Sequence, residues 1–197
     1  MIIIVSGLPG AGKSLLVEML ANEFRLKKVF ASHILRNLIE GKEFDLNKTE
    51  KSTGFFESED GVKATLTRAK NKEFDKKLDK MLLDLISKED NLIVDSRTMP
   101  WLSKKGFKIW VQASEYVRAH RTAERDKIEF EDAKEKIIER LENDKKIYAE
   151  LYKFKFAEDL KPFDLILDTG SLNKKEMFEK AKNAVKEYME KENSKEK

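Results

Sequence analysis

The residues Gly7–Ser14, GLPGAGKS, carry the pattern G-x-x-x-x-G-K-S. Glycine lets a backbone curl until several N–H groups point inward, and phosphate oxygens are the acceptors such a curl fits. A run with helical spacing at Leu16, Met19, Leu20 and Phe24 follows. The N-terminus of that helix would add positive potential at the same place. Gly7, Leu8, Pro9, Gly10, Ala11, Gly12, Lys13, Ser14 and Leu15 are therefore the expected ATP-binding residues. Lys13 would reach the β- and γ-phosphates, and the Ser14 hydroxyl would be a ligand for Mg²⁺, a hard ion that prefers oxygen. A glycine-rich turn can match by chance, but here an apolar strand precedes the loop and a helix follows it, the context that gives the motif meaning. A nucleotide binder without activity would carry the same loop.

Moving a phosphoryl group asks for positioning and for cations around a strongly negative centre. Arginine suits this, because its planar fork grips phosphate with two hydrogen bonds and stays charged. Arg36 falls on the helix after the second strand, and Arg97 two residues past the strand NLIVD. Arg118, Arg121 and Arg125 share one helix face, and Arg140 lies on the next helix with Asp144 one turn on. Any one of these could be a solvated surface charge. The ligand reading is stronger for Arg97, because the carboxyl ends of strands face the binding crevice of such sheets. It is stronger too for Arg121 and Arg125, because Lys dominates the basic residues here. Asp95 ends its strand as a carboxylate orienting a Mg²⁺ shell would; an acidic helix cap is the other reading. Trp110 sits in an apolar strand and reads as core, whereas Trp101, after Pro100, is open to either role. His33 is left without a role.

These residues need a scaffold that brings strand ends together. Short apolar runs at 2–6, 28–30, 91–95, 107–112 and 163–168 alternate with helical stretches. Among the latter, Ser32 is expected to cap a helix ending at Gly41, and Ser114 one reaching about Asp126. Further helices are expected over 73–87, 132 to about 151, and 173–192. Strands alternating with helices predict an α/β, doubly wound, three-layer fold with a parallel sheet. The polar stretch 42–72, anchored by Phe44, Leu46, Phe55 and Phe56, reads as short helices and loops of an inserted lobe.

The chain has 197 residues, and 40 Lys+Arg against 37 Asp+Glu leave a net charge of +3. That balance argues against a polybasic nucleic-acid binder. There is no cysteine, which excludes disulfides, thiol nucleophiles and Cys–Zn sites, and two histidines cannot build a His-rich metal centre. No apolar run approaches the ~18 residues of a membrane span, and Ile2–Val5 is too short for a signal segment. The expectation is a cytoplasmic protein, working as a monomer on small-molecule nucleotides, without membrane or nucleic-acid partners.

Taken together, MIIIVSGLPGAGKS, KVFASHILRNL (28–38), VDSRTMPW (94–101), FKIWVQASEYVRAHRTAER (107–125) and FDLILDTG (163–170) resemble the archaeal-type cytidylate kinases of the nucleoside monophosphate kinase group. The resemblance keeps order and spacing throughout except in 42–72. It implies one P-loop kinase domain over 1–197, an inserted helical acceptor lobe over 32–90, and a lid with its following helix over 114–160. It implies that Arg36 and Arg97 hold the acceptor phosphate and cytosine side, beside Asp95. Arg140 and Asp144 would reach the acceptor nucleotide, Asp144 toward its ribose. Arg121 and Arg125 would swing with the lid onto the phosphates, making them catalytic with Lys13 and Asp95, and Thr169–Ser171 would lie near adenine.

The chain departs from the family pattern in places. Lys13 stands where the family commonly has Thr, and Ser32–His33 where it has Gly-Asp. Ile147 replaces a second arginine on the helix after the lid, and Lys76 matches an acceptor-lobe arginine. Most of these changes touch the acceptor side. The resemblance thus implies ATP-dependent phosphorylation of CMP or dCMP. The alternatives are a P-loop kinase of another monophosphate or small metabolite, and a non-catalytic ATP-binding regulatory protein.

Overall fold

The computed structural model describes residues 1–43, 45, 49–50 and 58–195. Its strands are β1 (Ile2–Gly7), β2 (Lys27–Phe30), β3 (Leu92–Asp95), β4 (Phe107–Gln112) and β5 (Leu165–Asp168). All pair in parallel, in the order β2-β3-β1-β4-β5. The helices are α1 (Lys13–Phe24), α2 (Ala31–Glu40), α3 (Glu59–Lys70), α4 (Glu73–Lys88), α5 (Met99–Leu102), α6 (Glu115–Asp126), α7 (Phe130–Tyr152) and α8 (Lys174–Lys195).

The alternation of side chains along β1 explains the three layers. Ile3 and Val5 pack with Leu16 and Leu20 of α1 and with Met177, Ala181 and Val185 of α8. Ile2 and Ile4 pack on the other face with Ile34 of α2 and Leu78, Leu82, Leu85 and Ile86 of α4. A strand buried on both faces reads as an unbroken apolar run, which is why IIIV shows no alternation in the sequence. Because α2 and α4 cover the sheet directly, much of 32–90 belongs to the sandwich itself, with α3 outside that core cluster. A third cluster gathers Trp110, Ile147, Tyr148, Phe154 and Phe156.

The chain leaves β1 through α1 for β2 on one side of it and later crosses from β3 past β1 to β4 on the other, so a crevice opens at the carboxyl end of β1. The glycine loop fills that spot. At Gly7, φ is 146° and a Cβ would collide with the Val111 carbonyl oxygen.

The helices expected from the sequence form, with adjustments at their ends. Ser114 caps α6 as expected, accepting from Val117 N–H. Gly41 ends α2 in the left-handed conformation at φ 65°. Ser32 does not cap α2. Phe30 is the last extended residue, so the helix begins at Ala31 and Ser32 lies inside its first turn. β5 starts at Leu165 rather than Phe163, whose ring packs against Trp101 and Trp110 instead. The sequence reading omitted α5, a single turn opened by Met99-Pro100. Part of 58–70 forms the one helix α3, while Phe44, Leu46, Phe55 and Phe56 lie outside the described residues. Among the described residues no helix is long and apolar enough to cross a membrane.

Candidate active site

A cavity of about 340 Å³ opens at the carboxyl ends of β1 and β3. Its floor is the phosphate loop. Gly12, at φ 95°, turns the chain into α1 and leaves the first N–H groups of that helix without a side-chain cap. Unsatisfied N–H groups at a helix start are an anion site. Pro9, Gly10, Gly12, Lys13, Ser14 and Leu15 line the cavity. Gly7, Leu8 and Ala11 do not; Gly7 pairs with Val111, Leu8 N–H donates to the Val111 carbonyl, and Ala11 is part of the core. Those three shape the loop from behind.

Asp95 meets the loop from the end of β3. Ser14 Oγ donates to Asp95 Oδ2 across 3.2 Å, which joins a hydroxyl and a carboxylate at the mouth of the crevice. Asp95 is not the cap of the helix that follows, because Thr98 stands at the N-cap of α5. Lys13 Nζ donates to the Leu8 carbonyl at 2.8 Å, arching back over the loop.

Helix α6 supplies the opposite wall, and its three arginines differ. Arg118 is buried and donates to the carbonyls of Ala113 and Pro9, and burial lowers its pKa. It braces the loop and is not among the residues that line the cavity. Arg121 and Arg125 do line it. Arg121 donates to both Oγ1 and the carbonyl oxygen of Thr169 at 2.8 Å. Thr169 Oγ1 in turn reaches the Ala11 carbonyl at 3.0 Å, so the last strand's turn is fastened to the loop. Arg125 pairs with Asp126.

The remaining wall is a buried polar cluster that the sequence reading only touched. Arg68 of α3 donates from Nε to both oxygens of Asp75 at 2.8 Å, from Nη1 to Asp144 Oδ1 at 2.8 Å, and from Nη2 to Tyr148 OH at 2.6 Å. Asp144 Oδ2 pairs with Arg97. A single carboxylate on α7 therefore sits between guanidinium groups from α3 and from the loop after β3. Burial opposes the charge on Arg68, but the Tyr148 oxygen and Asp75 more than offset it and hold its pKa above the ordinary value. Beyond it, Asp79 accepts from Thr98 Oγ1 at 2.6 Å and from Tyr152 OH at 2.5 Å. Burial pushes the Asp79 carboxyl up to about 6.

Arg97, Arg140 and Asp144 thus line the same cavity as the phosphate loop and Asp95. Arg36 does not. It lies half exposed on α2 and donates to Glu40 at 3.0 Å, while Ser32 and Leu35 face the cavity. Trp101 stacks on Phe154 with centroids 4.4 Å apart and donates to the Asp159 carbonyl, so it belongs to the core. His33 Nδ1 accepts from Glu50 N–H.

The sequence matches the cytidylate kinase-like family over residues 2–171. The chain belongs to that family. A cytidylate kinase of Sulfurisphaera tokodaii is 34% identical over 179 residues, 90% of this chain and 91% of the relative. One of Methanocaldococcus jannaschii is 30% identical over 190 residues, covering 94% and 97%. Among solved structures, shikimate kinase from Bacteroides thetaiotaomicron aligns with a TM-score of 0.57 at 15% identity, over 96% of this chain and 98% of that one. At that identity the likeness concerns the α/β fold alone.

Family membership makes the polar cluster more informative. Lys76, which the resemblance matches to an acceptor-lobe arginine, is exposed and pairs with Glu73. The buried cation at the cavity is Arg68. Arg68, Asp75, Asp79 and Tyr148 escaped the sequence reading, Arg68 because 42–72 shows no period and the others because their helices were read for apolar spacing and charge alone. A signal was present on α4, where Asp75 and Asp79 fall on the same buried stripe as Leu78, Leu82 and Leu85. Carboxylates on an apolar stripe are there for a partner or a ligand.

Proposed function

We propose that the chain is an ATP-dependent nucleoside monophosphate kinase that phosphorylates CMP or dCMP to the diphosphate. The observation that carries this is the meeting, in one cavity, of a phosphate loop and a separate set of arginines and buried carboxylates. One end fits a triphosphate. The other offers Arg97 and Arg140 to a second anion and Asp144 to a sugar. Family membership supplies the acceptor class.

An oxygen of the acceptor phosphate attacks the γ-phosphorus in line. The bond to the β–γ bridging oxygen breaks, ADP leaves with that electron pair, and the new anhydride completes CDP. The acceptor is already ionised near neutral pH, so no general base is needed. Lys13 and the loop N–H groups hold the donor's phosphates, while Arg121 and Arg125 approach the transferring group from α6. The lid lies within 114–160, which also holds the helix that follows it, and the acceptor lobe within 32–90; closure of the lid would exclude water that otherwise takes the phosphoryl group.

The hydroxyl of Ser14 and the carboxylate of Asp95 are oxygen donors suited to Mg²⁺. Among the described residues no group of three or more His, Cys, Asp or Glu side chains could hold a metal ion. Mg²⁺ would neutralise phosphate charge there. The absence of cysteine fits a small-molecule enzyme of the cytoplasm. Turnover measured by coupled assay over a panel of monophosphates tests the proposal.

A further inference from the structure

Three buried carboxylates line the acceptor side of the cavity, and they are engaged differently. Asp75 is paired with Arg68, and Asp144 with Arg68 and Arg97. Asp79, only 3% exposed, instead receives its hydrogen bonds from the neutral hydroxyls of Thr98 and Tyr152. A carboxylate buried without a cation at hydrogen-bonding distance costs stability that an apolar residue or an amide would not. Its placement in the wall of a binding cavity gives it another use.

The chemistry of its surroundings says which. An ionised carboxylate has about four acceptor sites, and two are taken. The Thr98 proton is given to Asp79, so the Ser96 hydroxyl is the donor in its own contact with Thr98 Oγ1, which holds Thr98 in place. Asp79 thus brings unfilled acceptor sites to a wall whose other charged groups, Arg68, Asp75, Arg97 and Asp144, are paired among themselves. The phosphate end has the opposite character, with Lys13, Arg121 and Arg125. An acceptor nucleotide with its phosphate at Arg97 and Arg140, turned toward the donor, has its base left for the acceptor sites of this wall.

We propose that Asp79 selects the acceptor base: its carboxylate accepts from the exocyclic amino group of cytosine and repels the carbonyl oxygen that uracil carries at the same ring position. This rests on the reading of the chain as a CMP kinase and names the residue that makes it one. Thr98 and Tyr152 are positioning residues that hold the carboxylate in one orientation.

The test compares kcat/KM for CMP and UMP in wild type and Asp79→Asn at pH 7.5. The amide can turn its NH₂ toward a carbonyl, so the CMP value should fall about tenfold or more, the loss of a hydrogen bond to a charged group. The UMP value should fall less than about threefold or rise. An equal fall for both would overturn the assignment and make Asp79 structural. If Asp79→Asn does not fold, the wild-type CMP:UMP ratio between pH 7.5 and 5.5 reads the same group, because both substrates share the phosphate titration. Burial pushes Asp79 up to about 6, Asp75 adds to the rise, and Arg68 opposes it. Arg97, Asp144 and Tyr148 also line this part of the cavity, with Arg97 and Asp144 paired to each other. The ratio should fall as Asp79 protonates, and a constant ratio would overturn the assignment. A wild type inactive on CMP at every pH would instead overturn the kinase reading on which the assignment stands.

Discussion

Ser14 Oγ donates to Asp95 Oδ2 across 3.2 Å, although 81 residues separate them in the chain. The contact ties the first turn of α1 to the end of β3, and the proposed Mg²⁺ site rests on this hydroxyl and carboxylate. Asp95→Asn keeps the size and the acceptor but removes the charge. The Mg²⁺ concentration for half-maximal velocity should rise about tenfold, while melting temperature changes little. An unchanged Mg²⁺ titration would place the metal elsewhere.

Lys13 Nζ donates to its own loop's carbonyl, Leu8, and lines the cavity where the donor's phosphates are proposed to sit. Lys13→Ala should cut kcat/KM by about 10²–10³-fold, the range for removing one preorganised group from a charged transition state. Thermal melting should shift by no more than a few degrees. Loss of folding would contradict this role.

Arg97 pairs with Asp144 on the acceptor side of the cavity. Arg97→Ala should therefore raise the KM for CMP far more than the KM for ATP. Steady-state kinetics with each substrate varied in turn checks it. Equal increases would mean the two nucleotides are placed the wrong way round.

Arg68 is the cation on which the buried cluster depends. Arg68→Met leaves Asp75 and Asp144 short of a partner, and removing one side of a buried ion pair costs about 3–5 kcal/mol. For a chain of this length that is roughly 10 °C of melting temperature. Replacing Asp75 as well should recover part of the loss, since the uncompensated charge is then gone. Equal stability of wild type and Arg68→Met would contradict the buried network.

Asp79 makes a separate prediction about stability. Its carboxyl is ordinarily near 3.8 and stands near 6 in the fold, because burial disfavours the ionised form. A raised folded-state pKa contributes stability below the unfolded value and loses it as pH rises through about 6. The wild type should thus gain stability relative to Asp79→Asn as pH falls from 7 to 4, by up to about 3 kcal/mol. Denaturant unfolding of both proteins across that range measures it. A flat difference would mean the carboxyl is not strained.

The legible parts of the sequence were those governed by local rules. The phosphate loop, the Ser114 cap and the glycine at 41 depend on neighbours within a few residues, and each took the expected form. Asp95 and Arg97 could be placed because a strand's carboxyl end faces the crevice in any such sheet. What escaped was set by distant partners. Arg68 finds Asp144 across 76 residues, and no period in 42–72 announced it. Arg118 looked equivalent to Arg121 and Arg125 by spacing alone, yet it faces the carbonyls of Pro9 and Ala113. Arg36, grouped with Arg97 through the resemblance, pairs instead with Glu40 on its own helix.

The claim that one cavity brings ATP and a cytidine monophosphate together for direct transfer is tested most directly by turnover over a panel of CMP, dCMP, UMP, AMP, GMP and shikimate with ATP and Mg²⁺. The account predicts rapid ADP formation with CMP or dCMP, with CDP or dCDP as the product, and slower turnover of the others. No turnover of any pyrimidine monophosphate, or faster turnover of shikimate or a purine monophosphate, would contradict it.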